Sequence, residues 1–106
     1  MSIYNLFMIS LKKPVEFEWD EGNLDKNSEK HKVNNLEAEE VFFDNDKQEY
    51  PDPNHSKTEA RKIIVGRTKN GRHLFIVYTK RKNKIRVISA RDLNKRKERS
   101  LYEEAA

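Results

Sequence analysis

The sequence predicts an α+β domain in which a small antiparallel sheet follows N-terminal helices and precedes a C-terminal helix. Three runs rich in Ile, Val, Phe and Tyr predict the strands of a meander, Arg61–Arg67, His73–Lys80 and Lys84–Arg91. Segments of the first half instead show apolar residues at the spacing of short amphipathic helices. The chain has 106 residues, so these elements are expected to share one modest core.

Residues 1–14 are interpreted as an N-terminal extension, and residues 15–106 as the domain. Lys12, Lys13 and Pro14 end the apolar run Ile3–Leu11, which is too short to cross a bilayer. No basic region precedes that run, as a signal peptide would require. The sequence also contains no cysteine, which excludes disulfides and allows a reducing compartment. We therefore expect a cytoplasmic protein, and the short apolar run gives no reason to expect a membrane segment.

The domain is predicted to begin with a strand and a polar helix. Apolar and acidic residues alternate along Val15–Trp19, which is the period of a half-buried strand. Asp20 stands where a helix N-cap would, and the helix is expected over residues 20–32. Leu24 is its clearest apolar residue.

A second, shorter helix and a loop are predicted next. Asn35 is the candidate N-cap, and the apolar face of the helix would carry Leu36, Ala38, Val41 and Phe42. Residues 44–57 are rich in Asp, Asn and Pro, so they are expected to form a loop with at most a short strand near Tyr50.

Turn signals fix an expected register for the meander. Asn70-Gly71 predicts a two-residue type I′ turn, which would place Arg67 opposite Leu74. A two-residue turn at Lys82-Asn83 would place Leu74 opposite Arg91. Arg67, Leu74 and Arg91 would then share one row and one face.

The chain is predicted to end in a helix from Leu93 to about Glu104. Asp92 stands at the N-cap position of this helix. Leu93, Leu101 and Tyr102 would face inward.

The charges are divided unevenly along the chain. Residues 1–60 carry 7 Lys/Arg and 14 Asp/Glu, a net of −7, whereas residues 61–106 carry 15 and 4, a net of +11. This asymmetry favours contact between the basic half and a nucleic acid. The alternative is that the two halves neutralise each other in the fold.

Several short motifs occur in an order that resembles the BrnT family. Phe17-Glu18-Trp19-Asp20 is followed by Asn27, Lys30-His31 and Val33, and then by Ala38 and Val41-Phe42-Phe43-Asp44. The second half contains Val65-Gly66-Arg67, Val77-Tyr78-Thr79, Ile85–Arg91, Glu98-Arg99 and Tyr102-Glu103. Each motif alone is weak, but their order and spacing together are specific.

The resemblance implies a RelE-like fold and a ribonuclease activity that arrests translation. It also implies neutralisation by a BrnA-like antitoxin with a ribbon-helix-helix domain, through which the pair would contact operator DNA. The sequence departs from the family pattern at Lys32, where the family usually has a glycine that ends the helix in a left-handed turn.

Three residues are candidates for catalysis. Cleavage of RNA without a metal needs a base for the 2′-hydroxyl, an acid for the leaving oxygen and cations for the charge on phosphorus. Arg67 and Arg91 suit the last role, because the guanidinium binds phosphate oxygens through two parallel hydrogen bonds. The alternative for both is a solvated arginine at a strand end. His31 is a candidate acid or base, or else a histidine that interacts with the end of its helix.

Five further residues are candidates for RNA binding: Lys26, Lys30, Arg61, Arg86 and Tyr78. Lys26 and Lys30 lie one turn apart on a predicted helix and could serve solubility alone. Arg86 is expected on the face opposite Arg67, with an ion pair as the alternative. For Tyr78, core packing with a bonded hydroxyl competes with stacking on a base.

No metal or other cofactor is expected. The three histidines are far apart in sequence, and the acidic loop lacks the glycine and the terminal Glu of an EF-hand. Phosphate-binding glycine loops and nucleophile-elbow motifs are also absent from the sequence. Beside the ribonuclease, two hypotheses stay open: a non-catalytic nucleic-acid-binding module and a protein-interaction subunit.

Overall fold

Five strands and three short helices are formed by the residues that the computed structural model describes, which are 15–53, 59–94 and 96–103. The strands are β1 (Glu16–Phe17), β2 (Gln48–Pro51), β3 (Lys62–Arg67), β4 (His73–Arg81) and β5 (Lys84–Asp92). The helices are α1 (Lys26–His31), α2 (Asn35–Val41) and α3 (Arg99–Glu103). The α+β class is therefore confirmed, whereas the expected extension over residues 1–14 lies outside the described residues. No helix in the described ranges is long and apolar enough to cross a membrane.

The sheet is mixed and not purely antiparallel as expected. Its strand order is β1-β5-β4-β3-β2, and β1 runs parallel to β5 while the other neighbours are antiparallel. Alternating apolar residues reveal a strand but not the direction in which it pairs. The direction of β1 was therefore not available from its sequence pattern.

The first helix begins later than predicted, and Asp20 is not its N-cap. Turns occupy residues 21–25, and the Asp20 carboxylate accepts a hydrogen bond from the Gly22 N–H at 2.9 Å. The side chain of Asn23 is buried and donates to the carbonyls of Glu18 and Val87, at 2.8 and 3.1 Å. These bonds hold the segment against β5, so the helix begins only at Lys26.

Two asparagines complete the outer edge of β5, where β1 is too short to pair with it. Asn27 lies four residues after Asn23, and its Oδ1 accepts the Ala90 N–H at 2.9 Å. The Asn23 amide reaches the Val87 carbonyl in the same way. These side chains satisfy backbone groups of β5 that would otherwise be buried without partners.

The second helix is capped by Asn34 and not by Asn35. The Asn34 side chain accepts the Glu37 N–H at 2.8 Å, and Glu37 accepts the Asn34 N–H at 3.2 Å, which completes a capping box. Ala38 and Val41 are buried as expected, but Leu36 is 65% exposed. Leu36 precedes Ala38 by two residues, about 200° around a helix, so the two could not lie on one face.

The core lies between the helices and one face of the sheet, which we call the helix face. Its buried members are Val33, Ala38, Val41, Ile64, Leu74, Ile76, Tyr78, Val87 and Ala90. Gly66 allows α2 to approach β3, because a Cβ at this position would lie 2.8 Å from the Val41 Cγ1 atom. Val65 is buried on the opposite face.

The turn between β3 and β4 has three residues, and the register predicted from a two-residue turn is wrong. Thr68 and Arg72 close the turn, with the Thr68 N–H donating to the Arg72 carbonyl at 2.8 Å. Gly71 has a φ of 85°, whereas Asn70 is not among the residues with positive φ. This is the pattern of a type I turn followed by a left-handed glycine. Arg67 consequently pairs with His73, and Leu74 pairs with Gly66.

The turn predicted between β4 and β5 is correct, but a bulge changes the register farther along. Arg81 pairs with Lys84 around a Lys82-Asn83 turn, and Tyr78 still pairs with Val87 as expected. The next pair is Val77 with Ser89, so Ile88 is the extra residue of a bulge. Leu74 therefore faces Asp92 and not Arg91.

The C-terminal helix is shorter than predicted, and Asp92 belongs to β5 and does not cap it. The Leu93 N–H donates to the His73 carbonyl at 2.9 Å, which continues the pairing beyond β5. Asn94 makes the turn that follows, since its Oδ1 accepts the Arg96 N–H at 3.1 Å. The regular helix begins only at Arg99.

Candidate active site

Arg67 and Arg91 lie on the same face of the sheet, opposite the helix face. We call it the α3 face, because α3 contacts it; it carries Ile63, Val65, Arg67, His73, Phe75, Val77, Ser89 and Arg91. Arg67 pairs with His73 and Arg91 pairs with Phe75, so the two arginines flank β4 from either side. The two strand spacings separate them by about 10 Å across the sheet, and the two-residue offset between His73 and Phe75 separates them by about 7 Å along it. They share a face as expected, but they do not share one row, and Leu74 lies on the other face.

Arg91 is held by a carboxylate and by an aromatic ring. Its Nη1 and Nη2 atoms donate to the two carboxylate oxygens of Glu98, at 2.8 and 2.7 Å. Its guanidinium carbon lies 4.2 Å from the centre of the Phe75 ring, at cation–π distance. The hydrogen bonds to Glu98 raise the pKa of Arg91 further, and they lower the pKa of Glu98 despite its burial.

Arg67 presents a charged side chain without an ion pair among the described residues. It is exposed, and its backbone N–H donates to Asp44 Oδ2 at 2.8 Å. The side chain borders a groove of about 470 Å³ beside the β3–β4 turn. Its guanidinium is therefore available to an anion from solvent.

Asp44 ties this end of β3 to the C-terminal helix. Partial burial acts to raise the pKa of Asp44, but the N–H groups of Asp46 and Arg67 and the Tyr102 hydroxyl together lower it. The Tyr102 hydroxyl donates to Asp44 Oδ2 at 2.9 Å. Burial and this bond raise the pKa of Tyr102 to about 12.

His73 is a titratable residue of the α3 face to which we assigned no role from the sequence. It is half-buried, lies directly opposite Arg67, and its ring meets Tyr102 edge-on with 5.0 Å between the ring centres. The expected register placed it beside the turn and away from Arg67. A prediction of a three-residue turn at Lys69–Gly71, in place of the two-residue turn, would have paired His73 with Arg67.

Arg86 forms the ion pair that was the alternative to RNA binding, whereas no ion pair accompanies the partial burial of Arg61 within the described residues. Arg86 donates to Glu18 at 2.9 Å and to both oxygens of Asp20, at 2.7 and 3.0 Å. The bond to Asp20 chiefly raises the pKa of Arg86 and lowers that of Asp20. Arg86 pairs with Thr79 and was expected on the face opposite Arg67, but the three-residue β3–β4 turn moves Arg67 to the same α3 face. Arg61 is half-buried, and its Nε has no hydrogen-bond partner.

His31, Lys26 and Lys30 all lie on α1, away from the two arginines. All three are exposed. The His31 carbonyl accepts a hydrogen bond from Arg72 Nη2 at 3.1 Å, at the end of α1 on the helix side of the sheet. The structure therefore does not bring His31 together with Arg67 and Arg91.

Tyr78 is part of the core. It is 2% exposed, packs edge-on against Phe42, and donates its hydroxyl to Glu49. Burial and Glu49 raise its pKa. Its ring is thus enclosed between α2 and β2 and not presented on the surface.

The carboxylates and histidines described by the structure do not gather into a metal site. Within residues 15–53, 59–94 and 96–103, no group of three or more His, Asp or Glu side chains is placed to hold an ion. The guanidinium of Arg67 instead lies among a carboxylate, a phenol and an imidazole, which belong to Asp44, Tyr102 and His73. Such a set can bind a phosphate and move protons.

The comparison with known protein families agrees with this chemistry. A family model matches residues 19–97, and it describes ribonuclease toxins of type II toxin–antitoxin systems. The chain belongs to this family, BrnT, so its resemblance to BrnT is confirmed. Membership makes the chain a ribonuclease toxin with an RNA substrate and an antitoxin partner. No curated protein matches the chain.

Proposed function

We propose that this toxin cleaves RNA on the α3 face without a metal ion, and that cleavage arrests translation. One observation carries the proposal: Arg67 and Arg91 flank β4 on a single face, with His73 and Tyr102 beside Arg67. The RelE-like fold and the location in the cytoplasm belong to the same proposal.

The two arginines supply the charge that the reaction needs. The 2′-oxygen of a ribose attacks the adjacent phosphorus, the 5′-oxygen of the next nucleotide leaves, and a 2′,3′-cyclic phosphate is formed. The phosphorane between these states carries additional negative charge, which two guanidinium groups would stabilise more strongly than the ground state. Arg67 can approach the phosphate directly, since its side chain makes no ion pair with the described residues.

Proton transfer is best assigned to the residues next to Arg67. His73 supplies the imidazole of this face, the side chain most often used as a general acid or base, and Tyr102 directs its proton toward Asp44. His31 was the candidate from the sequence, but it lies at the end of α1 beyond the sheet. We therefore place His31 with Lys26 and Lys30 as contacts to more distant phosphates of the RNA.

The antitoxin is proposed to be BrnA-like, with a ribbon-helix-helix domain that contacts operator DNA. The support is family membership, which implies an antitoxin, together with the resemblance of the sequence motifs. Such a partner would inhibit the toxin by covering the α3 face.

The test is growth of a bacterial culture after tightly induced expression of wild type or of Arg67→Ala/Arg91→Ala. We expect wild type to arrest growth and to leave RNA fragments that end in a 2′,3′-cyclic phosphate. The double variant should relieve the arrest, because removal of cations that contact the transition state costs roughly 100-fold or more in rate.

A charge-matched control separates catalysis from general loss of positive charge. Lys62→Ala/Lys80→Ala also removes two cations, and both lysines are exposed on the opposite side of the sheet. This variant should still arrest growth at equal protein level. If a well-folded wild-type protein cleaves no RNA, the chain is instead a binding module or an inactive toxin.

A further inference from the structure

Glu98 occupies only one edge of the Arg91 guanidinium. A guanidinium has five N–H groups, and those of Arg91 that make hydrogen bonds belong to Nη1 and Nη2. Nη1 donates to Glu98 and to the Asp92 carbonyl, the latter at 3.1 Å, and Nη2 donates once to Glu98. The Nε–H and the second Nη2–H therefore remain without an acceptor in the described part of the chain.

These two N–H groups lie along one side of the guanidinium. The Arg91 side chain that carries them is 38% exposed. Two parallel N–H groups on one edge match the spacing of two phosphate oxygens.

Glu98 is itself fixed by the turn that precedes α3. It is 17% exposed, and its Oε1 also accepts the Asn94 N–H at 2.8 Å. The Glu98 N–H returns to the Asn94 carbonyl at 2.7 Å. The carboxylate is thus a rigid support, and the Phe75 ring fixes the plane of the guanidinium from one side.

We propose that Glu98 is a positioning residue, which orients Arg91 so that its Nε/Nη2 edge grips the phosphate of the RNA. This inference rests on the proposed function and extends it to a residue that lies just beyond the segment matched by the family model. Glu98 does not compete with the substrate, because the carboxylate and the phosphate take different edges of one guanidinium.

A double-mutant cycle of Glu98→Gln and Arg91→Ala tests whether Glu98 acts through Arg91. Glu98→Gln keeps the size of the side chain but replaces one acceptor with a donor. We expect kcat to fall about 10- to 100-fold through misorientation of Arg91, while KM stays within about twofold. In the Arg91→Ala background the same change should have no further effect on kcat. Glu21→Gln, at an exposed carboxylate, is the control for loss of negative charge.

Thermal unfolding and an NMR titration separate positioning from a merely structural role. The Nε–H signal of Arg91 should shift when inorganic phosphate is added to wild type, and the shift should be lost in Glu98→Gln at a temperature where both are folded. An unchanged or increased kcat in folded Glu98→Gln would overturn the proposal, as would an equal loss in the Arg91→Ala background.

The same measurements keep the two proposals apart. If wild type cleaves no RNA, the catalytic function fails, and the phosphate titration still decides whether Glu98 orients Arg91. If wild type is active and Arg91→Ala is equally active, the role of Arg91 in catalysis is wrong. If the Arg91 Nε–H signal of wild type also fails to shift with phosphate, the Nε/Nη2 edge does not bind phosphate and the proposed role of Glu98 is wrong as well.

Discussion

At the scale of single residues, the end of α1 depends on a lysine in an unusual conformation. Lys32 has φ 55° and ψ 34°, and its N–H donates to the Asn27 carbonyl. This is the left-handed cap that the BrnT resemblance led us to expect from a glycine. Arg72 fixes the turn, because its Nη1 donates to the Lys32 carbonyl at 2.7 Å and its Nε pairs with Asp92 at 2.6 Å. The surrounding bonds therefore maintain a backbone conformation that a side chain with a Cβ disfavours.

Lys32→Gly is expected to stabilise the protein by about 0.5–1 kcal/mol, because glycine adopts positive φ without steric cost. Equilibrium urea denaturation at neutral pH would measure the change in the free energy of unfolding. Lys30→Gly is the matched control, since it also deletes an exposed lysine but lies within α1, where glycine should cost about 1 kcal/mol. A destabilised Lys32→Gly variant would show that the lysine side chain contributes more than its backbone conformation costs.

At the scale of elements, one turn and one bulge decide which residues meet at the site. A three-residue β3–β4 turn and the extra residue Ile88 each shift the register by one position. The two shifts move Arg67 and Arg91 to the α3 face, while Leu74 stays on the helix face with Ile76 and Tyr78. A type I′ turn would require positive φ at both Asn70 and Gly71, whereas the observed turn requires it at Gly71 alone.

Gly71→Ala is expected to cost about 1 kcal/mol, whereas Asn70→Ala should change stability by less than about 0.5 kcal/mol. Space is not the reason, because a Cβ at Gly71 would meet no atom within 4 Å. The difference comes from the φ of 85° at Gly71 alone. Thermal unfolding of the two variants measures it, and equal losses would favour the two-residue turn.

The sequence was sufficient to predict the existence and the approximate bounds of β3, β4 and β5, because long β-branched runs admit few alternatives. The BrnT motifs also identified the family. Arg67 and Arg91 were chosen for the chemistry of the guanidinium and for a register that proved wrong, although the two residues do share a face. The bulge at Ile88 and the direction of β1 depend on tertiary pairing and leave no signal in local periodicity. For the same reason His73 and Glu98 were not among the candidates from the sequence, since their neighbours come from other strands and turns.

At the scale of the whole molecule, the acidic first half neutralises part of the basic second half. Arg72, Arg81 and Arg86 pair with carboxylates of the first half: Glu18, Asp20, Glu37 and Glu59. Arg67, Lys69, Arg96 and Lys97 make no ion pair within the described residues, and all are exposed. The acidic half therefore neutralises one group of arginines, and a group of cations without ion pairs lies around the β3–β4 turn and the approach to α3. Lys62 and Lys80, on the helix face, also make no ion pair within the described residues, so the site of RNA contact has to be tested for both sides of the sheet.

This distribution predicts how RNA binding depends on salt. For single-stranded nucleic acid, the logarithm of the association constant falls with the logarithm of salt concentration by about 0.7 for each phosphate neutralised. Contacts from about three or four cations would thus give a slope of about −2 to −3.

Arg67→Ala should make the slope less negative by about 0.7, because it removes one phosphate contact. Lys62→Ala, on the helix face, should leave it unchanged. Fluorescence anisotropy with a 2′-O-methyl RNA, which cannot be cleaved, gives the slopes directly. Equal slopes for wild type and Arg67→Ala would show that the RNA does not contact Arg67. A less negative slope for Lys62→Ala would show that the RNA binds on the helix face.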